Sequence, residues 1–401
     1  MPSTNRRNLY ILTFTLFVVM LGFGVVIPII PFYMESFGAG GTELGLLVAS
    51  YAVMRLIVGP VWGTLSDRVG RKPVLIIGVL GYAITMIWFG LATELWMLFA
   101  ARILSGVLSS ATSPTTMAYI GDSTSEEERG RGMGILGAAM GLGTIFGPFF
   151  GGLLAEFSLA VPFFIAGGMS FLALGLIILF LPESLPKKAR RTPVEGQAGL
   201  DVRAWLALLR GPLGILFFMG FLMTYALTVF YGIFGLYALE KYGYGPDEVG
   251  TVFMIVGLIS AITQGLLIGP ITKCWGEALV IKVTLLAIAA GFFLMSLADQ
   301  RWMVFTSIGF FILATSLLTP AVMAMQSKQA DQEQGMVMGL SNAVMSLGRI
   351  IGPLWGGAAL DIYLELPYLS SAVVLLAGFL MGLFLLTPKA RDVKEAPLQP
   401  L

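Results

Sequence analysis

Gly63-Thr-Leu-Ser-Asp-Arg-Val-Gly-Arg-Lys72 is a short charged stretch held between two long apolar runs. It sets one carboxylate, Asp67, beside three cations, Arg68, Arg71 and Lys72. Gly63 and Gly70 permit tight backbone approach, and Pro73 suits the first turn of the helix that follows. The flanking runs are each about 20 residues long, the length that crosses a bilayer core. A hairpin this small and this charged belongs at a membrane surface, on the face that collects positive charge.

Composition points the same way. The 401-residue chain is 57% hydrophobic and 12% charged, against about 25% charged in soluble domains. Its 50 glycines suit helices packed closely in lipid. A net charge of +1 gives no reason to expect nucleic acid as a partner. Histidine is absent, which removes His metal sites and His proton relays, and the lone Cys274 removes disulfides and Cys clusters. Arg6 and Arg7 precede a run too long for a signal peptide, so that run reads as a first span.

Twelve helical spans are expected, at about 9–33, 43–63, 73–93, 95–119, 131–155, 162–181, 212–238, 248–270, 279–298, 302–325, 334–359 and 367–387. The runs lack the alternation of membrane strands. With the N-terminus inside, nineteen Lys and Arg fall in inside segments and only Lys241 and Arg301 outside. Both termini are therefore expected to be cytoplasmic. Residues 182–211 form one long hydrophilic break, with a short surface helix expected at Leu200–Leu209. The division is then 1–181 and 212–388 as two six-helix halves, 182–211 as a cytoplasmic linker and 389–401 as a tail. The basic linker can also meet anionic lipid headgroups.

The halves repeat one another. Gly134, Gly143, Gly147, Pro148, Gly151 and Gly152 recur as Gly339, Gly348, Gly352, Pro353, Gly356 and Gly357, each 205 residues on. Pro114-Thr-Thr-Met-Ala118 returns as Pro320-Ala-Val-Met-Ala324. The opening stretch has an echo at Gly269–Gly276, with Lys273 in place of Asp67. Parallel repeats of this kind place a substrate site between the halves.

The pattern G-x-L-x-D-R-x-G-R-K resembles the loop between helices 2 and 3 of major facilitator superfamily transporters. The span 5 glycines resemble the signature of the drug:proton antiporters in that superfamily. Leu21-Gly-Phe-Gly-Val-Val-Ile-Pro-Ile-Ile-Pro31 and Leu98-x3-Arg102-x2-Ser105-Gly106 resemble the group's span 1 and span 4 motifs. The resemblance, closest to bacterial quinolone and tetracycline efflux pumps, covers the whole chain. It implies an all-α fold of twelve transmembrane helices in two pseudo-symmetric halves. It also implies that Asp67 gates by meeting the N-terminal end of span 11, near Gly335, and that Arg71 pairs with Asp122.

Three arginines, Arg55, Arg102 and Arg349, lie inside spans, where charge is expensive and should face the bundle interior or water. Arg102 continues a polar stripe through Ser105, Ser109, Thr112 and Thr116, and Arg349 continues one through Ser346 and Asn342. Tyr51, four residues before Arg55, is within cation–π reach of it. Tyr225, Tyr231 and Gln264, with many Met and Phe, are candidates to line a soft apolar cavity. Spans contain no deep Asp or Glu, so a proton site is sought at Glu35, Glu156, Asp67 or Asp122. This pattern favours neutral or anionic amphiphiles over cations. The expected function is proton-coupled efflux of hydrophobic small molecules across the cell (inner) membrane. The alternative is transport of a specific neutral or anionic metabolite or lipid-like compound. A nucleophile beside a base is not seen, so no enzyme is expected. The chain is expected to need no cofactor beyond a proton gradient, and to act as a monomer among lipids.

Overall fold

The computed structural model describes residues 3–186, 208, 212–330 and 334–385. It is built of helices: α1 (Ser3–Ser36), α2 (Gly41–Val69), α3 (Arg71–Gly90), α4 (Leu95–Ser123), α5 (Glu126–Ala155) and α6 (Val161–Phe180). Then come α7 (Pro212–Tyr242), α8 (Pro246–Trp275), α9 (Glu277–Ser296), α10 (Arg301–Gln329), α11 (Gln334–Ile362) and α12 (Leu366–Leu385). All twelve are long and apolar enough to cross a membrane. Several run beyond their apolar cores. Thus α1 starts six residues before the expected span, because polar residues stay helical outside hydrocarbon. Most of the linker lies outside the described residues, including all of the expected Leu200–Leu209 helix except Leu208, and so does the tail.

Two helices depart from regular geometry where proline withdraws a donor. In α4 the helix is interrupted between Ser109 and Thr112, three to four residues before Pro114. In α8 the turns from Thr263 to Leu267 widen to π geometry ahead of Pro270, and the Ile268 N–H reaches the Thr263 carbonyl. Gly70 (φ 114°) and Gly276 (φ 74°) make the α2–α3 and α8–α9 corners, with positive φ that side chains rarely adopt.

The packing repeats with the sequence. Helix α1 packs on α5 and α7 on α11; α3 packs on α6 and α9 on α12. The halves meet chiefly where α2 packs on α11 and α5 on α8. Because successive helices alternate in direction, the α2–α3 corner, the α8–α9 corner, the start of α1 and the end of α12 share one side. That side is called here the loop face, and the other the opposite face. The largest buried cluster sits in the second half around Phe230, Phe253, Phe292 and Phe311, and extends across into α1 and α2.

Candidate functional site

At the loop face the charged corner is a built structure. Arg71, 7% exposed, donates from Nη1 to Asp67 Oδ1 (2.5 Å) and Ser66 Oγ (2.7 Å), and from Nε to Asp122 Oδ2 (2.9 Å). It thus ties the end of α2 to the end of α4. Glu183, which sequence reasoning passed over, completes the corner. Its carboxylate accepts the backbone N–H groups of Arg71 (2.8 Å) and Lys72 (3.2 Å), the exposed donors at the start of α3. The available signal was its position just after Pro182, where α6 returns to the same face. Asp67 is engaged by Arg71 within its own half in this state, rather than by the start of α11. Arg68 and Gly63 are exposed or half-buried nearby, and a Cβ at Gly63 would meet nothing within 4 Å.

The second half carries the same corner with its charges inverted. At the matching offset of 206 residues, Asp67, Arg71 and Asp122 become Lys273, Glu277 and Lys328. Lys328 bonds the Glu277 carboxylate, repeating the link from the α9 start to the α10 end. Only the Lys273 member of this inversion was legible from the sequence echo.

The repeated glycines sort by side. On the opposite face they carry helix crossings. A Cβ at Gly143 would lie 2.7 Å from the Phe17 carbonyl and one at Gly151 would lie 2.8 Å from the Val25 carbonyl, while Gly147 leaves room for Gly24; all three admit α1. Gly348, Gly352 and Gly356 admit α7 in the same way. Gly152 instead faces the other half, where a Cβ would lie 2.5 Å from the Pro246 carbonyl. Gly357 likewise crowds Gly41 and Gly45 of α2. Pro148 presents its carbonyl to Gly250, and Pro353 presents its own to Gly45. Asp361 fastens this side further. It accepts the N–H groups of Gly41 (2.7 Å) and Thr42 (2.8 Å) and the Thr42 hydroxyl, capping α2 from the far half. On the loop-face side, Gly59, Gly63, Gly134, Gly265, Gly269, Gly335 and Gly339 have nothing within Cβ reach. The halves therefore grip at the opposite face and stand apart toward the loop face.

The three arginines within spans sit on α2, α4 and α11. Arg102 is 5% exposed and stacks on Tyr51, with Cζ 4.7 Å from the ring centroid. Tyr51 therefore serves Arg102 on α4, not its own-helix neighbour Arg55. Gly106 brings α4 close to the Tyr51 backbone and sets that contact. The Tyr51 hydroxyl meets Ser109 Oγ (3.3 Å), while Ser109 and Thr116 also bond carbonyls one turn back on α4. The Arg102 Nε has no hydrogen-bond partner among the described residues. Arg55 is exposed, as is Arg349, whose Nη1 reaches Ser346 Oγ (3.3 Å). Asn342 and Gln264 are also exposed, Gln264 in the π segment of α8.

One cavity candidate turns out otherwise. Tyr225 is buried and its hydroxyl pairs with Ser371 of α12 (3.1 Å), so it joins helices rather than lining a cavity. Tyr231 is half-buried in an aromatic cluster with Phe230 and Phe253. A third polar joint, Gln326, was not foreseen. Fully buried, it bonds the Leu216 carbonyl (3.1 Å) and Ser341 Oγ (2.8 Å), linking α10 to α7 and α11. Glu35 and Glu156 are exposed at the opposite-face ends of α1 and α5.

Comparison with known proteins agrees with this architecture. The Major Facilitator Superfamily model matches residues 12–264 and 216–400. Multidrug resistance protein 2 of Bacillus subtilis (strain 168) is 31% identical over 369 residues, 92% of this chain and 92% of that protein. Quinolone resistance protein NorA of Staphylococcus aureus (strain COL) is 27% identical over 381 residues, 94% of this chain and 96% of that one. Among solved structures, a bacterial homolog of the human lysosomal transporter Spinster superposes with a TM-score of 0.77 at 15% identity, covering 96% of each chain.

Proposed function

The chain belongs to the major facilitator superfamily, and on that premise we propose that it exports hydrophobic and amphiphilic small molecules by alternating access, driven by a proton gradient. The relatives named for multidrug and quinolone resistance support this reading. The observation that carries it is the one-sided grip of the halves: backbone contact at Gly41, Gly45, Gly152, Gly250 and Gly357, and open space at Gly59, Gly134, Gly265 and Gly339. A pair of rigid six-helix halves, 1–181 and 212–388, packed this way can rock about its middle. In this reading the loop face is cytoplasmic in the inner membrane, as the Lys and Arg distribution suggests, and the state described is open to the cytoplasm.

Closure of the loop face would then bring the end of α2 against the start of α11, since these helices already pair at their other ends. Asp67 would meet the partial positive charge of that helix start, worth about 0.3–1 kcal/mol when exposed. On the pseudo-symmetric side, Lys273 would meet the start of α5, whose sequence opens Glu126-Glu-Glu128. The inverted charge of Lys273 therefore suits the acidic start of α5. A few kcal/mol shared between such contacts is enough to shift a two-state balance tenfold or more.

The test uses the purified chain in acid-loaded lipid vesicles with an internal pH dye. Drug-dependent alkalinisation is expected, collapsing when a protonophore is added. Drug movement at the same rate without any pH response would overturn proton coupling, and no drug movement at all would overturn export.

A further inference from the structure

Arg55 and Arg349 face the same problem from different halves of the molecule. Arg55 is fourteen residues from each end of α2, and Arg349 is fifteen and thirteen residues from the ends of α11. Each is therefore about 20 Å from either helix end at 1.5 Å per residue. Their helices are one of the two pairs that join the halves, and the Gly41–Gly357 and Gly45–Pro353 contacts set an antiparallel register that leaves both arginines on the loop-face side of that crossing. Like charges so placed repel. A guanidinium does not shed its proton, so the repulsion is not relieved by titration.

Neither arginine has a carboxylate partner among the described residues. The nearest described acids along these helices, Glu43, Asp67 and Asp361, are twelve residues away, or about 18 Å. Arg349 is exposed, and its one side-chain partner among the described residues is the neutral Ser346. Arg102 adds a third cation, stacked on Tyr51, which precedes Arg55 by one turn of α2. Among the described residues it too lacks a counter-ion, and its buried Nε has no partner. Three cations deep in the bundle without a single anion are costly to hold. Beside them, the Tyr51–Phe23 pair on α2 and α1 offers an apolar wall.

We propose that Arg55 and Arg349 form a binding site for the oxyanion of an amphiphile, a carboxylate or sulfonate on an aromatic body, with Arg102 raising the positive potential of the site. The inference rests on the export reading and names its substrate class. A planar guanidinium from each half would grip the oxygens in the paired geometry that carboxylates and sulfonates share. Because the two arginines sit on opposite halves, the anion would also cancel the repulsion that opposes their approach. Binding would thereby favour closure, which gives substrate a differential affinity for the two states.

Two dyes of one skeleton test this. N-phenyl-1-naphthylamine is neutral, and 8-anilinonaphthalene-1-sulfonate is the same body with a sulfonate. In phosphatidylcholine nanodiscs, Arg349→Met and Arg55→Met are each expected to lower the ratio of sulfonate to neutral-dye affinity at least tenfold. Arg349→Lys, which keeps the charge but not the paired geometry, is expected to recover part of that ratio and so excludes a folding defect. Adding phosphatidylglycerol to the discs separates the two sources of such an anion. Competition with the sulfonate assigns the site to lipid headgroups, and indifference assigns it to soluble organic anions; either supports an oxyanion site. An unchanged ratio in both Met variants overturns the proposal. If the wild-type chain exports the neutral dye from vesicles while that ratio stays flat, the site fails and the export reading stands. If neither dye is exported, the export reading itself fails.

Discussion

Gly357→Ala is expected to lower transport about fivefold or more and to drive the molecule out of the state described here. A Cβ at this position would sit on the Gly41 carbonyl oxygen and 3.1 Å from the Gly45 Cα. Both obstacles are backbone, so no rotamer change relieves them. Overpacking of this kind costs about 1–3 kcal/mol, and here it falls only on the state in which α2 and α11 meet at the opposite face. At about 1.4 kcal/mol per factor of ten, the population of that state drops roughly 5- to 150-fold. Gly339→Ala is the control, since a Cβ there would meet nothing within 4 Å. Ala49 lies buried one turn from Gly45. A cysteine there, in a Cys274→Ser background, should react with a water-soluble thiol reagent much faster once Gly357 is alanine. A Gly357→Ala variant that transports like the wild type, with Ala49→Cys still shielded, would mean the glycine crossing is mere packing.

The charged corner gives the second large effect, and two substitutions separate its two jobs. Arg71→Met removes the donor that serves Asp67, Ser66 and Asp122 together. Breaking a buried ion pair by deleting one partner costs about 3–5 kcal/mol. Here the carboxylates keep 33% and 26% side-chain exposure, so the loss should be smaller, about 2 kcal/mol. Both thermal stability and transport are expected to fall. Asp67→Asn leaves an oxygen to accept from Arg71, so stability should shift by less than about 1 kcal/mol. Transport should still fall, by about two- to fivefold, because the amide brings no charge to the start of α11. Wild-type turnover in the asparagine variant would remove Asp67 from the closing contact and leave it only a structural partner of Arg71.

The sequence displayed the fold because lipid makes helices obligatory and writes them as apolar runs. Twelve runs and twelve helices agree, and the repeated glycines foretold which helices cross closely. The site was less legible, for reasons that can be named. Glu183 acts on backbone donors, and backbone groups carry no sequence signature. Asp361 caps a helix 320 residues away in the chain, a relation that only packing creates. The Glu277–Lys328 bond hid because a charge-inverted copy of a motif no longer reads as that motif. Tyr51 was assigned to Arg55 by helical spacing, but the approach of α4 at Gly106 delivers Arg102 to the ring first. Tyr225 read as a cavity residue because a hydroxyl in an apolar span suggests ligand contact. Its hydroxyl instead meets Ser371, the ordinary need of a buried polar group.

Spin-label distances across both faces test the account most directly. Cys274 at the end of α8 and Ser125→Cys at the start of α5 report the loop face. Thr42→Cys with Tyr363→Cys, in a Cys274→Ser background, reports the opposite face. In vesicles, each pair is expected to show two discrete distances, and a proton gradient or an exported dye should shorten one as it lengthens the other. A single distance for each pair that no gradient or dye shifts, or both pairs long in the same molecules, would contradict it.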